Sequence, residues 1–248
     1  MTALLEVRGL TRRFGGLVAV KGVDLVMKEG EIVGILGPNG AGKTTLFNLL
    51  TGFLPPDEGQ VFFLGGDITG LARHRIVDAG LARTFQLARP FRAMTVEENV
   101  AVACLSPRGR RHGGASFRAR VGQMLRQVGL EGKEQAPVEV LPYGDLRRLE
   151  LARALATAPQ LLLLDEPFAG LGASEIEPLA RVIERLRGEG LGILIIEHKL
   201  REFMRLVQRV IAMDFGEVIA DGTPSEIVQN PKVITAYLGG GTDGHGAA

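Results

Sequence analysis

The sequence predicts an α/β fold in which apolar strands form a parallel sheet and helices cover it. The first indication is a glycine-rich loop at residues 37–42, which lies between an apolar run, 31–36, and a helical pattern that begins at Lys43. The second is a pair of continuous apolar runs at 161–164 and 191–196, each followed by a helical pattern. Such runs are typical of strands that are buried on both faces of a parallel sheet.

The remaining strands are indicated by short runs between turn residues. Apolar or alternating runs at 4–7, 23–27 and 61–64 are bounded by glycine, proline or charged turn residues, and they predict three further strands. Two more runs, 210–213 and 217–220, flank a short turn near the C-terminus. That arrangement predicts a terminal hairpin.

Helices are predicted where apolar residues recur every three or four positions. The main predicted helices cover 43–51, 96–105, 117–128, 146–156, 175–188 and 200–207. Three helix starts carry a capping box, in which a Ser or Thr and a Glu three residues later each bond the other's backbone. The three boxes are Thr95 with Glu98, Ser174 with Glu177, and Thr223 with Glu226.

Two segments predict irregular structure. The basic segment 108–114 interrupts the helical pattern and predicts a polar loop. We expect its basic run, 108–112, to be solvated, with contact to anionic lipid or a membrane partner as the alternative. The glycine-rich end, 239–248, predicts a disordered tail.

Composition indicates a globular protein of 248 residues, 46% hydrophobic and 23% charged, which argues against large-scale disorder or a collagen-like chain. Its 29 Lys and Arg and 28 Asp and Glu give a net charge of +1, which argues against an electrostatic nucleic-acid binder. The single cysteine, Cys104, excludes an intramolecular disulfide, fits a reducing cytosol, and predicts a buried small hydrophobe. We expect neither a membrane span nor a signal peptide.

Residues 37–44 have the sequence Gly-Pro-Asn-Gly-Ala-Gly-Lys-Thr, which fits the phosphate-loop pattern G-x-x-x-x-G-K-[ST]. Glycines let consecutive backbone N–H groups point inward, and the following helix N-terminus adds partial positive charge. We expect Lys43 to reach the β- and γ-phosphates of a nucleotide and the Thr44 hydroxyl to bind Mg²⁺. The strand before the loop and the helix after it favour this interpretation over an ordinary turn.

Asp165 and Glu166 follow the apolar run 161–164. A parallel strand brings its last residues to the sheet edge where ligands bind. We therefore expect Asp165 to hold Mg²⁺, directly or through water, and Glu166 to polarise a water for in-line attack on the γ-phosphate. An acidic pair after an apolar run is a weak signal alone and a strong one downstream of a phosphate loop.

With these motifs the sequence resembles the nucleotide-binding subunit of an ABC transporter. Phe14 stands where that family has an aromatic residue that stacks on adenine, and Gln86 stands at the Q-loop glutamine. Residues 141–155 match the signature motif with its helix, and His198 matches the switch histidine. Singly, these would be a core aromatic, a surface amide and a structural histidine. Their order and spacing over 4–238 favour the family's roles.

The resemblance implies a P-loop NTPase fold in one cassette, residues 1–248, with a mixed β core, an N-terminal antiparallel β subdomain and an inserted α-helical subdomain at 87–150. It also implies ATP and Mg²⁺ as ligands. The implied catalytic residues are Glu166, His198 and Gln86. The implied Mg²⁺ ligands are Thr44, Gln86 and Asp165. The implied nucleotide contacts are Phe14, Gly37, Pro38, Asn39, Gly40, Ala41, Gly42, Lys43, Thr44, Thr45, Tyr143 and Gly144.

Several strings resemble the cassettes of branched-chain amino-acid importers, namely 84–86 with 90–100, 143–144, 147–150, and 221–224 with 236–239. The resemblance implies a peripheral ATPase at the cytoplasmic face of the inner membrane. It would drive hydrophobic amino-acid import through two integral membrane permease subunits, supplied indirectly by a periplasmic or extracellular binding protein.

Alternative functions stay open at this point. The cassettes of urea import and lipopolysaccharide export have similar sequences. A soluble ABC ATPase outside transport is less favoured, because such proteins usually carry two cassettes or long coiled-coil insertions. A binding protein that no longer hydrolyses ATP is opposed by Lys43, Asp165, Glu166 and His198. The helical segment between Gln86 and Pro142 is expected to receive a helix of the membrane subunit in a groove lined by Phe91 and Met94.

Three positions depart from the family pattern. Pro142 replaces the usual signature Ser, Asp145 replaces a Gln or Glu, and Gly172 replaces the D-loop Asp. The resemblance places these residues on the face that serves the nucleotide of a second cassette. We therefore expect a heterodimer in which this chain's own site does most of the hydrolysis, with a homodimer as the alternative.

Overall fold

A computed structural model describes residues 3–86, 89–111 and 116–238 of the chain. The strands are β1 (Leu5–Phe14), β2 (Leu17–Met27), β3 (Ile32–Leu36), β4 (Glu58–Phe63), β5 (Gly66–Asp67), β6 (Leu81–Arg83), β7 (Leu161–Asp165), β8 (Gly192–Ile196), β9 (Arg209–Asp214) and β10 (Glu217–Gly222). The α-helices are α1 (Lys43–Leu50), α2 (Arg73–Ala79), α3 (Val96–Cys104), α4 (Pro107–Arg111), α5 (Phe117–Val128), α6 (Tyr143–Leu155), α7 (Ala173–Gly188), α8 (Leu200–Leu206), α9 (Pro224–Gln229) and α10 (Pro231–Leu238).

The strands form two sheets. The smaller is antiparallel, in the order β2-β1-β4-β5, and the larger has the order β10-β9-β3-β8-β7-β6. In the larger sheet β6, β7, β8, β3 and β9 are parallel, and β10 adds an antiparallel edge. This arrangement confirms the predicted mixed β core with an antiparallel N-terminal sheet. It also places the loop after β3 at the carboxyl edge of an inner strand, where ligands bind in such sheets.

The inner strands β3, β7 and β8 of the larger sheet are buried on both faces, as their continuous apolar runs predict. In β7, Leu161 and Leu163 belong to the core shared with the smaller sheet and α1, whereas Leu162 and Leu164 belong to the core shared with α3, α5, α6 and α7. Successive side chains of a strand point to opposite faces, so a strand between two apolar layers must be apolar at every position. At Gly34 in β3, a Cβ atom would lie 2.2 Å from the Phe203 ring, so α8 packs directly on the backbone.

Between β6 and β7, the elements that the structure describes are helical. Helices α3, α5 and α6 pack against one another, with Cys104 buried among them. Burial raises the pKa of its thiol, in accord with the predicted role as a small hydrophobe. The bounds 87–150 of an inserted subdomain stay a prediction, since residues 87 and 88 lie outside the described ranges.

The capping box before α3 forms as predicted, because Thr95 Oγ1 accepts from the Glu98 N–H at 3.2 Å and Glu98 Oε2 accepts from the Thr95 N–H at 2.8 Å. The box predicted for Ser174 and Glu177 is wrong. Gly172 is the N-cap of α7, and its N–H donates to Glu175 Oε2 at 3.0 Å. The chain leaves β7 in a tight loop that already turns into helix at residue 173, which places Ser174 inside the first turn. Helix α6 likewise begins three residues earlier than predicted.

The predicted polar loop over 108–114 is helical where the structure describes it, since residues 107–111 form α4. Arg110 and Arg111 are exposed, as the predicted solvation requires, whereas the Arg108 guanidinium turns inward. It donates to the carbonyl oxygens of Ala158 at 2.7 Å and Ala79 at 3.2 Å, and to Gln160 Oε1 at 2.6 Å. Ala79 ends α2, whose last carbonyls lack helical partners, and a planar guanidinium satisfies several acceptors at once. Residues 112–114 and the predicted tail, 239–248, lie outside the described residues. Within the described ranges, no helix is both long and apolar enough to cross a membrane.

Candidate functional site

The phosphate-loop sequence forms a turn between β3 and α1. Gly40 and Gly42 have φ angles of +84° and +98°, a region that glycine adopts without strain. A Cβ atom at Gly42 would lie 2.3 Å from the carbonyl oxygen of Ala19, so a larger residue would push the loop away from β2. No side chain among the described residues caps α1, and the first N–H groups of this helix are therefore able to bind an anion.

Lys43 lies across the inside of this loop and is only 7% exposed. Its Nζ donates to the carbonyl oxygens of Gly37 at 2.7 Å and Pro38 at 2.9 Å. Burial lowers the pKa of Lys43, while the nearby carboxylates of Glu166 and Asp165 oppose that shift. The ammonium is thus held by neutral carbonyls that a phosphate oxygen would replace as the stronger, charged acceptor.

Asp165 ends β7 and is 6% exposed. Its Oδ2 accepts a hydrogen bond from Arg83 Nη2 at 2.6 Å, and both side chains are buried. Burial of a charged side chain is costly unless a partner of opposite charge is hydrogen-bonded to it, and Arg83 is that partner. The other carboxylate oxygen, Oδ1, is not used by this ion pair.

The three predicted catalytic residues meet just beyond β7. Glu166 Oε1 lies 3.0 Å from His198 Nε2, and Glu166 Oε2 accepts from Gln86 Nε2 at 2.8 Å. Glu166 has a φ of +49°, a strained conformation for a non-glycine residue that costs roughly 1–3 kcal/mol. Its N–H donates to the carbonyl oxygen of Ile196 at 2.9 Å, which holds the strained turn against β8. Strained backbone residues are concentrated at functional sites. The strain at Glu166, together with the two side chains that contact its carboxylate, therefore indicates a functional site.

A cavity of about 480 Å³ lies between Glu166, His198, the phosphate loop and the end of the smaller sheet where β1 turns into β2, and neither Gln86 nor Asp165 lines it. Phe14, 44% exposed, stands at its wall with the Arg12 guanidinium 5.1 Å from its ring centroid. Gly37 and Pro38 shape the loop and bind Lys43 without lining the cavity. The predicted residues that line it are Phe14, Asn39, Gly40, Ala41, Gly42, Lys43, Thr44, Thr45, Glu166 and His198.

The donor set fits a nucleotide with Mg²⁺. The Thr44 hydroxyl, an oxygen of Asp165 and the Gln86 amide oxygen are hard ligands of the kind that Mg²⁺ prefers. Within the described ranges, no group of three or more His, Cys, Asp and Glu side chains could hold a metal ion alone. Mg²⁺ commonly binds through one or two carboxylates together with substrate phosphates, and this site offers that combination.

Tyr143 and Gly144 do not line this chain's own cavity. They begin α6, where a Cβ atom at Gly144 would lie 2.5 Å from Glu175 Oε1. Tyr143 is 39% exposed and packs over the Arg147 guanidinium at 5.2 Å. Pro142 is the N-cap of α6 and provides no side-chain cap. Its carbonyl oxygen accepts from the N–H groups of Asp145 at 3.0 Å and Leu146 at 3.1 Å.

Sequence reasoning missed four residues around the site besides those above. The first is Arg83, which pairs with Asp165. Glu197 is 3% exposed and accepts from the N–H groups of Phe168, His198 and Lys199 at 2.9, 2.8 and 3.1 Å, so it fixes the loop that carries the histidine. The other two residues lie nearer the C-terminus. Phe215 lines the cavity, and the Tyr237 hydroxyl accepts from the Gly37 N–H at 3.1 Å.

The signals for these residues were present but ambiguous. An acidic residue beside a candidate catalytic histidine points to Glu197, whereas nothing local points to Tyr237, which lies 200 residues from its partner.

Comparisons with known proteins agree with this geometry. The family described as "ABC transporter" matches residues 20–169, and that described as "Branched-chain amino acid ATP-binding cassette transporter" matches residues 217–243. The high-affinity branched-chain amino acid transport ATP-binding protein BraF of Pseudomonas aeruginosa is 42% identical over 254 residues, which cover 95% of this chain and 98% of that protein.

Two solved structures support the same assignment. The ADP conformation of an ATP-binding cassette of an ABC transporter has a TM-score of 0.86 and 30% identity, covering 96% of this chain and all of that one. A dimeric post-hydrolysis cassette bound to ADP and Pi has a TM-score of 0.77 and 26% identity, covering 89% and 98%. The chain belongs to the ATP-binding cassette family of ABC transporters, within its branched-chain amino acid group.

Proposed function

We propose that this chain is the ATP-hydrolysing subunit of an ABC importer for branched-chain or other hydrophobic amino acids. It converts ATP and water to ADP and phosphate and drives transport through separate membrane subunits at the cytoplasmic face of the membrane. The observation that carries the proposal is the meeting of Glu166, His198 and Gln86 beside the loop that holds Lys43. The relatives' names and the match at 217–243 support the substrate class.

The loop and its lysine bind the triphosphate. Backbone N–H groups of Gly40 and Gly42 and the N-terminus of α1 face the phosphates, and Lys43 exchanges its two carbonyl partners for phosphate oxygens. Phe14 stacks on the base through its exposed ring face. The face of an aromatic ring makes no hydrogen bonds to the edge of the base, where adenine and guanine differ. We therefore expect this contact to discriminate poorly between ATP and GTP.

Glu166 is the general base of the reaction. It accepts a proton from water while the water oxygen attacks the γ-phosphorus, and the bond from that phosphorus to the β–γ bridging oxygen breaks. His198 and Gln86 orient the two carboxylate oxygens before water arrives, and His198 also faces the γ-phosphate. Thr44, Gln86 and Asp165 hold Mg²⁺, which when bound offsets the charge that develops on the phosphates.

A second cassette completes each site in this proposal. The dimeric structure of a similar cassette bound to ADP and Pi supports a pair of cassettes, which we expect to close head-to-tail. Pro142 lacks the hydroxyl that would bind the partner's γ-phosphate, and losing one hydrogen bond to a charged group costs about 1.5–3 kcal/mol. We therefore favour a heterodimer in which the site on Lys43 does most of the hydrolysis.

The membrane subunit docks on the helical segment at Phe91. This ring is 43% exposed, yet its backbone is clamped by the fully buried Asn99, which accepts from the Phe91 N–H at 2.8 Å and donates to its carbonyl oxygen at 3.1 Å. The Arg153 guanidinium lies 4.8 Å from the ring centroid. A side chain held outward by a buried clamp is suited to docking. Half-buried Met94 continues the apolar surface.

Two experiments test the proposal. The chain is reconstituted in vesicles with its partner cassette and the permease and binding-protein subunits of its transporter, and ATP-dependent uptake of leucine is compared with uptake of urea. Leucine uptake is expected, and its absence with urea uptake present would overturn the substrate class. A photocrosslinker at position 91 should capture a membrane subunit, whereas one at Val228, 54% exposed on α9, should not. Equal capture at both positions would contradict the docking surface.

A further inference from the structure

Arg83 connects three elements that meet behind the site. Its Nη2 donates to Asp165 Oδ2 at 2.6 Å, at the end of β7. Its Nη1 donates to Asn48 Oδ1 at 2.7 Å and lies 3.3 Å from Thr51 Oγ1, at the end of the helix that follows the phosphate loop. The Arg83 side chain is 6% exposed. One guanidinium therefore fixes the end of β7 to the far end of α1.

Three aromatic rings surround the same guanidinium. Its Cζ lies 5.5 Å from the ring centroid of Phe47, 5.7 Å from that of Phe53 and 5.3 Å from that of Phe85. Phe47 is fully buried, whereas Phe53 and Phe85 are 42% and 40% exposed and pack edge to face at 5.6 Å. The cation thus lies between a buried carboxylate and an aromatic pair that reaches the surface.

This surrounding suits arginine and not lysine. The planar fork bonds Asp165 and Asn48 at once while its faces stack on rings, and the compact ammonium of lysine cannot do both. The ion pair occupies only Oδ2 of Asp165. By fixing the position of Oδ2, the Arg83 fork fixes the rotation of the carboxylate about its Cβ–Cγ bond and therefore the direction in which Oδ1 points.

We propose that Arg83 is a positioning residue that orients Asp165 for Mg²⁺, and that the aromatic pair Phe53 and Phe85 stabilises this orientation from the surface. Arg83 touches neither nucleotide nor metal and acts through Asp165. The inference rests on the proposed function, because it assigns the residue that prepares the metal ligand of that site. Partners that orient a metal ligand commonly change metal affinity by about 10- to 100-fold when altered.

The test compares Arg83→Lys with wild type by calorimetry. Binding of adenylyl imidodiphosphate, an ATP analogue that is not hydrolysed, is measured with Mg²⁺ and with EDTA. The ratio of the two affinities reports the metal contribution without any turnover. Arg83→Lys keeps the positive charge, so a change in this ratio reflects geometry. The matched control is Arg8→Lys, since Arg8 also pairs with a carboxylate, Glu6 at 2.8 Å, and lies 4.8 Å from the ring centroid of Phe62, on the exposed surface.

We expect the affinity of Arg83→Lys for the analogue in EDTA to stay within about twofold of wild type. The Mg²⁺ gain, which is the affinity with Mg²⁺ divided by that in EDTA, should be about tenfold smaller than in wild type. Arg8→Lys should match wild type in both. Thermal unfolding confirms that each variant is folded. An unchanged Mg²⁺ gain in folded Arg83→Lys would overturn the inference and leave Arg83 as a structural ion pair. Failure of wild type to bind in either condition would instead overturn the proposed function.

A second variant keeps the test decisive if Arg83→Lys does not fold. Phe53→Leu leaves the ion pair in place and removes one ring from the guanidinium. We expect it to lower the Mg²⁺ gain by about twofold to fivefold, the usual size of one cation–π contact, with binding in EDTA unchanged. Equal gains in Phe53→Leu and wild type would contradict the role of the aromatic pair.

Discussion

Replacing Glu166 with glutamine separates binding from chemistry at this site. The substitution keeps the size of the side chain and removes its charge. Of the two contacts that the carboxylate accepts, from His198 at 3.0 Å and Gln86 at 2.8 Å, the amide oxygen of glutamine keeps one. Lys43 and the loop backbone are untouched, so we expect ATP to bind at least as tightly as it binds wild type.

The loss of hydrolysis should be large. A positioned general base contributes about 10²- to 10⁴-fold to the rate, which corresponds to about 2.7–5.4 kcal/mol of transition-state stabilisation. The loss of one hydrogen bond to the charged carboxylate lowers the free energy of unfolding by about 1.5–3 kcal/mol, less than the roughly 5–15 kcal/mol that holds a typical domain folded. Turnover should therefore fall while the variant stays folded.

The assay measures phosphate release by the assembled transporter and ATP affinity by calorimetry on the same preparation. Glu184→Gln, at an exposed position on α7, is the matched control and should leave both unchanged. Turnover of Glu166→Gln within threefold of wild type would refute the assignment of the base. Loss of ATP binding together with turnover would show that Glu166 contributes to binding and not to proton transfer.

Three further predictions concern the loop, the dimer and the fold. Lys43→Ala should weaken ATP binding by about 10- to 150-fold, because it removes a charged hydrogen bond to phosphate; calorimetry checks this, and unchanged affinity would contradict the loop assignment. In a complex with a different partner cassette, inactivating Lys43 should abolish most ATPase activity. Inactivating the loop lysine of the partner should lower ATPase activity only slightly, since Pro142 already weakens that site. Equal losses, or a fully active homodimer, would oppose the asymmetry. Arg108→Ala should lower the free energy of unfolding by about 1–3 kcal/mol through its unsatisfied carbonyl partners, whereas exposed Arg110→Ala should change it by less than about 0.5 kcal/mol; equal effects in chemical denaturation would restore the solvated loop.

Much of the fold could be predicted from the sequence because it depends on interactions between residues that are close together in the chain. The bounds of α5, the capping box at Thr95 and the terminal hairpin all depend on residues within a few positions of one another. The phosphate loop is equally local, because its glycines, lysine and threonine act within one turn of chain. The predicted start of α7 is wrong because the sequence offers two N-caps, Gly172 with Glu175 and Ser174 with Glu177, each with a glutamate three residues later. The path of the chain after β7 selects Gly172.

The sequence by itself determined which chemical groups this protein has and in what order. They include the phosphate loop with its lysine, the acidic pair at the end of β7 and the histidine after β8. Only the tertiary structure decided which groups share a contact. Arg83 pairs with Asp165 across 82 residues, and Arg108, which belongs to a run that resembles a solvated loop, pairs with carbonyls about 50 residues away. The reason is physical: a long basic side chain gains hydrogen bonds either from water or from buried acceptors, and only the packing of β6, β7 and α4 puts those acceptors within its reach.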